Sequence, residues 1–92
     1  MKPKKAGVLL LFYPNAWGEV NFVLIRRKVY KGAHSGQISF PGGKSEPLDD
    51  DLWATALRET QEEVGVESHQ VKYLRSLTQL YVPPSNFLIF PY

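Results

Sequence analysis

The sequence predicts an α+β domain: a mixed sheet with one substantial helix. Two apolar runs, Ala6–Tyr13 and Asn21–Arg27, flank a turn cluster near the start and read as paired strands. A glycine turn at Pro41-Gly42-Gly43 opens onto an acid-capped helix that Gly65 stops. Strand-like runs resume after the helix, from Val71 to Leu80 and from Phe87 to Phe90. Ninety-two residues make one domain, 1–92. A chain of this size buries somewhat over ~60% of its unfolded surface, so its core is modest.

Each element has a local reason. Val8-Leu9-Leu10-Leu11-Phe12 is too continuous for a half-exposed strand, so Ala6–Tyr13 reads as buried. Pro14-Asn15-Ala16-Trp17-Gly18 is the hairpin turn, with Trp17 expected to pack. Lys28–Gln37 is a polar loop, and Ile38-Ser39-Phe40 is a short strand ending at Pro41. Asp49, Asp50 and Asp51 suit the N-cap and first turn of a helix from about Asp50 to Val64. In Val71–Leu80, Tyr73, Arg75, Leu77 and Gln79 alternate with Leu74, Ser76, Thr78 and Leu80 until Pro83-Pro84-Ser85-Asn86 breaks the run.

The helix carries the chemistry. Residues three and four apart share a face, so Glu59, Glu62 and Glu63 form one carboxylate patch. Trp53, Leu57, Thr60 and Val64 form a stripe roughly opposite, the expected core face. Clustered carboxylates repel unless a cation sits among them, and hard oxygen ligands suit magnesium or manganese rather than zinc. Arg58, one turn before Glu62, is placed to orient that carboxylate. The plain alternative is a solvated acidic face.

Composition narrows the classes. Hydrophobic content of 43% with 22% charged residues is a globular profile. A net charge of +2 with dispersed basic residues gives no nucleic-acid footprint. The absence of cysteine excludes disulfides and thiolate metal sites, and fits a reducing compartment. The run Gly7–Tyr13 is too short to span a bilayer, and no targeting segment is read.

The stretch from Gly43 to Val66 resembles the Nudix box: Gly, five residues, Glu, seven residues, Arg-Glu, an aliphatic, any residue, Glu-Glu, any residue, Gly, an aliphatic. Gly43, Arg58, Glu59, Glu62, Glu63, Gly65 and Val66 fill its positions. The box is one residue longer than the common form between Gly43 and Arg58, and Thr60 replaces the aliphatic. Its acidic position falls on Asp49 or Asp50. The upstream run from His34 through Gly36 and Phe40 to Gly43, preceded by Arg26 and Arg27, is similar to the extra signature of the coenzyme A pyrophosphatase branch. Pro-Pro-Ser-Asn after the later strand is similar too.

The resemblance implies an α/β/α sandwich and hydrolysis of a nucleoside diphosphate linked to another moiety. Coenzyme A, giving 3′,5′-ADP and 4′-phosphopantetheine, is the expected substrate. Mg²⁺ or Mn²⁺ would be held by Glu59, Glu62, Glu63 and the Gly42 carbonyl. Glu59 or Glu62, oriented by Arg58, would be the base; Arg26, Arg27, His34 and Gly43 would meet the substrate. The apolar ending is expected to be a fold cut short, whose open edge a second copy could cover as a homodimer. The expected partner is a small-molecule nucleotide, with neither nucleic acid nor membrane. Cytoplasm is the expected setting, Phe90-Pro91-Tyr92 being no Ser-Lys-Leu-type ending. The alternatives are a pyrophosphatase for ADP-ribose or NADH, and a catalytically silent binding module of the same fold.

Overall fold

The computed structural model describes residues 2–26 and 37–92. It contains a four-stranded mixed sheet, one long helix and two small two-stranded ribbons. Strand β1 (Lys4–Val8) lies inside the main sheet, parallel to β8 (Phe87–Pro91) and antiparallel to β6 (Gly42–Lys44). Strand β7 (Leu80–Val82) pairs antiparallel with β8 at one edge, giving the order β6-β1-β8-β7. The expected α+β class with a mixed sheet is what the chain forms.

The apolar run Ala6–Tyr13 is not one strand. It divides into β1 and β2 (Phe12–Pro14), because its middle residues turn to other partners. Leu9 N–H donates to the Pro41 carbonyl at 2.8 Å, and Leu10 N–H to the Tyr92 carbonyl at 2.8 Å. The hairpin partner divides likewise, into β3 (Val20–Phe22) and β4 (Ile25–Arg26), the latter paired with β5 (Ile38–Ser39). The predicted hairpin exists as β2 against β3, with Phe12 opposite Phe22 and Pro14 opposite Val20. Asn15 Oδ1 closes its turn by accepting from the Trp17 and Glu19 N–H groups, and Gly18 takes the left-handed conformation there. Trp17, expected to pack, is 83% exposed at the tip.

Helix α1 (Leu52–Val64) starts two residues later than expected and ends where Gly65 adopts φ 75°. Asp51 is its N-cap, accepting from Ala54 N–H at 2.8 Å. The core face differs from the predicted stripe. Thr55, Ala56 and Thr60 are buried, while Trp53, Leu57 and Val64 are only half-buried. The cause is Gly7: a Cβ there would lie 2.3 Å from the Leu52 carbonyl and 3.0 Å from Ala56 N. Backbone meets backbone, so small residues take the core positions. Trp53 instead packs edge-on against Tyr73 and Tyr92, at centroid distances of 5.0 and 5.6 Å. Burial raises the Tyr92 phenol above its usual pKa, with Asp51 and Tyr73 adding to the effect.

The predicted strand Val71–Leu80 pairs only from Leu80 onward. Leu77 N–H still reaches the Pro91 carbonyl at 2.9 Å, but Pro91 has no N–H to return, and the ladder is not extended. Among the described residues, no helix is long and apolar enough to cross a membrane.

Candidate active site

Antiparallel pairing of β6 with β1 sets the site. Gly43 lies opposite Gly7, so both face α1, and Glu59 rests directly on Gly43. A Cβ at Gly43 would fall 2.3 Å from Glu59 Oε1. Glycine is therefore the residue that lets this carboxylate lie against the strand. Gly42 is equally confined: an added Cβ would sit 2.5 Å from the Gly7 carbonyl oxygen. Its N–H donates to Glu63 Oε1 at 2.8 Å, tying the far end of α1 to β6.

Arg58 organises the remaining acids. Its Nε and Nη2 donate to the two oxygens of Asp49 at 2.9 and 3.0 Å, a bidentate pair. Nη1 donates to Glu59 Oε2 at 2.7 Å and to Glu62 Oε1 at 2.8 Å. Nη2 also reaches the Lys44 carbonyl at 3.1 Å. The box acid is thus Asp49; Asp50 makes no such contact, and the capping role expected of all three aspartates belongs to Asp51. Asp49 also accepts from the buried Thr55 hydroxyl at 2.8 Å and from Glu46 N–H at 2.9 Å. Its carboxylate, held chiefly by Arg58, stays well below the usual range, and the Arg58 guanidinium is correspondingly raised.

Glu59 goes the other way. Burial raises its pKa, Arg58 opposes the rise, and Glu62 and Glu63 add to it by repulsion. The sequence therefore brings Glu59 and Glu62 together, but on a shared guanidinium nitrogen, while Glu63 turns to Gly42. Among the described residues, no three acidic or histidine side chains are gathered into a metal-holding group. The donor chemistry nevertheless fits a hard divalent cation: oxygen ligands only, one of them half-buried and destabilised by its like-charged neighbours.

An open groove runs beside Glu59, lined by Gly42, Gly43, Lys44, Ser45, Glu46 and Pro47. Across β6, a second and largely apolar groove shares Gly42, Gly43 and Lys44 with it. Arg26 ends β4, is exposed and lines neither groove. Arg27 and His34, predicted to meet the substrate, lie outside the described residues. Sequence reasoning missed Thr55, Glu46 and Lys44. Thr55 carries a signal, being a hydroxyl one turn before Glu59 on the helix face that meets Asp49.

A guanidinium-clamped glutamate helix laid on a glycine strand of a mixed sheet defines an acidic, arginine-organised site. The NUDIX domain model matches residues 1–89, and the chain belongs to the Nudix family. It is 40% identical over 76 residues to Nudix hydrolase 15, mitochondrial, of Arabidopsis thaliana, covering 83% of this chain and 27% of that protein. It is 50% identical over 56 residues to the peroxisomal coenzyme A diphosphatase NUDT7 of Mus musculus, covering 61% of this chain and 23% of that protein. The chain spans about a quarter of the length of these relatives. In fold it is similar to a MutT/nudix family protein from Enterococcus faecalis, with a TM-score of 0.75 at 24% identity. That match covers 99% of this chain and 36% of the other.

Proposed function

We propose that the protein hydrolyses a nucleoside diphosphate linked to a second moiety, with coenzyme A as the substrate. The observation that carries the reaction class is the Arg58 clamp, which holds Glu59, a wall of the groove lined by Gly42–Pro47, and Glu62 on one guanidinium nitrogen. The choice of coenzyme A is supported by the His34–Gly43 run and by likeness to the mouse coenzyme A diphosphatase.

Glu59, Glu62, Glu63 and the Gly42 carbonyl would hold Mg²⁺ or Mn²⁺, which when bound neutralises pyrophosphate charge and lowers the pKa of water. The chain's own residues do the positioning. Glu59 or Glu62 accepts the proton of the attacking water, and Arg58 holds both carboxylates in place. Gly43 leaves room for Glu59, and Lys44 supplies positive charge at the rim between the two grooves. Water oxygen bonds to one phosphorus as the bridging P–O bond breaks, leaving 3′,5′-ADP and 4′-phosphopantetheine. Arg26, Arg27 and His34 would contact phosphate, and a reducing, cytoplasmic setting suits a chain without cysteine.

The test is Mg²⁺-dependent release of 3′,5′-ADP from coenzyme A, with ADP-ribose alongside and Glu62→Gln as control. Turnover of coenzyme A that the substitution reduces about 100-fold supports the reading. Preference for ADP-ribose removes coenzyme A but keeps the chemistry. Mn²⁺ binding without turnover of either substrate makes the chain a silent binding module.

A further inference from the structure

Among the described residues, α1 buries two polar side chains completely, Thr55 and Thr60. A hydroxyl taken from water needs a partner, or its burial is a net cost. Thr60 has the ordinary one. Its hydroxyl turns back along the helix and donates to the Ala56 carbonyl at 2.7 Å. Thr55 has the same option in the Asp51 carbonyl, but at 3.2 Å. Its closer partner lies outside the helix: Asp49 Oδ2, at 2.8 Å. Thr55 has one hydroxyl proton, and Asp49, ionised beside Arg58, can only accept. The proton therefore goes to the carboxylate, where the bond is charge-assisted.

Asp49 Oδ2 takes three donors: the Thr55 hydroxyl, Glu46 N–H at 2.9 Å and Arg58 Nη2 at 3.0 Å. They are not equivalent. Glu46 belongs to the same turn as Asp49, whose own N–H donates to the Glu46 carbonyl at 3.0 Å, so the two move together. Arg58 is the side chain being held. Of the three, only Thr55 ties the carboxylate to the body of the domain, its Cβ lying 3.2 Å from where a Gly7 Cβ would stand on β1. Arg58 needs such a fixed point. Its Nη1, which serves Glu59 and Glu62, is also 3.5 Å from Oε1 of the exposed Glu46. An Asp49 free to rotate would release the guanidinium toward Glu46 and away from the other two acids.

We propose that Thr55 is a positioning residue for hydrolysis: its hydroxyl fixes the Asp49 carboxylate, Asp49 fixes the Arg58 guanidinium, and Arg58 sets Glu59 and Glu62. The inference rests on the reading that Glu59 and Glu62 serve hydrolysis, as argued above. Thr55 lines neither groove, so deleting its hydroxyl slows the step after binding and leaves binding itself alone. Its methyl packs and its hydroxyl positions, and substitution separates the two roles.

Three variants test it. Thr55→Val keeps the shape and deletes the hydroxyl, Thr55→Ser keeps the hydroxyl and deletes the methyl, and Thr60→Val deletes the other buried hydroxyl of the helix. With Mg²⁺ and whichever of coenzyme A and ADP-ribose turns over, Thr55→Val should lower kcat about tenfold and change KM less than about twofold. Thr55→Ser should keep kcat within about twofold of wild type despite the small cavity it leaves, and Thr60→Val should match wild type. A second readout needs no turnover: the Arg58 Nε–H resonance in ¹⁵N–¹H spectra, assigned by its loss in Arg58→Lys. Its exchange with solvent should be slow in wild type, Thr55→Ser and Thr60→Val, and about tenfold faster in Thr55→Val. A merely structural threonine gives the opposite pattern, with kcat following Tm through all three variants and Arg58 exchange unchanged, and that overturns the proposal. Wild-type kcat in Thr55→Val overturns it as well. Should Thr55→Val not fold, Thr55→Ala against Thr55→Ser isolates the same hydroxyl, and the same differences are expected. If neither substrate is hydrolysed, the functional reading fails, and Arg58 exchange decides whether Thr55 holds the clamp: faster exchange without the hydroxyl keeps it, and unchanged exchange removes it.

Discussion

Glu59 is placed by a residue that has no side chain. With Glu59 Oε1 lying where a Gly43 Cβ would be, Gly43→Ala must displace the carboxylate rather than merely crowd it. Displacement of a reacting group by about 1 Å costs on the order of 100-fold in rate. We therefore expect kcat to fall by about that factor in Gly43→Ala, with circular dichroism unchanged. Asp49 acts one step further back, fixing Arg58 from two oxygens. Because its folded pKa is depressed, its stabilisation is complete above the unfolded value of about 4 and is lost as pH falls toward the folded one. The stability gap between wild type and Asp49→Asn should be constant from pH 7 to about 5, then close below about pH 4. Urea midpoints across that range measure it, and a gap that widened in acid would contradict the clamp. The acid position was open in the sequence between Asp49 and Asp50, because one extra residue in the turn could be absorbed on either side. Thr55 and Glu46 N–H, both bonding Asp49, settle it in the fold.

At the scale of elements, α1 is where it is because β1 offers no side chain at Gly7. The helix backbone descends onto that glycine, with Thr55 and Ala56 beside it. Gly7→Ala would drive a methyl into the Leu52 carbonyl and lift the helix, an overpacking defect of about 2–3 kcal/mol. Asp51→Ala removes the N-cap and should cost about 1 kcal/mol. Chemical denaturation of both variants ranks them, and a Gly7→Ala protein as stable as wild type would refute this docking. The charged face of α1 was legible, since spacing alone puts Arg58, Glu59 and Glu62 together. Its buried face was not. Periodicity marks large apolar residues as core, whereas close backbone approach selects small ones, and Trp53 was thereby freed to join Tyr73 and Tyr92. The same limit split Ala6–Tyr13: an apolar run shows that residues seek burial, not that Leu9 and Leu10 hydrogen-bond away from the strand.

For the whole molecule, the mixed sheet and the helix bring residues far apart in sequence, Gly43 and Glu59, into one contact, and that contact couples ligand binding to folding. A cation that binds the native carboxylates and not the unfolded chain stabilises by mass action. At a free Mn²⁺ concentration ~100 times its Kd the gain is about 2.7 kcal/mol. For a chain of this size each kcal/mol moves Tm by roughly 4–8 °C, so Mn²⁺ should raise Tm by more than about 10 °C. Glu62→Gln separates this from general ionic effects. The Glu62 side chain is 54% exposed and its bond to Arg58 is an i,i+4 surface pair. Its loss should therefore change the metal-free stability by less than about 0.5 kcal/mol. The variant should start from nearly the same Tm and lose most of the Mn²⁺ shift, and chelation by EDTA should return both proteins to one baseline. A full shift retained in Glu62→Gln would mean that the cation binds elsewhere, and that the Arg58-held pair is a structural clamp rather than a metal site.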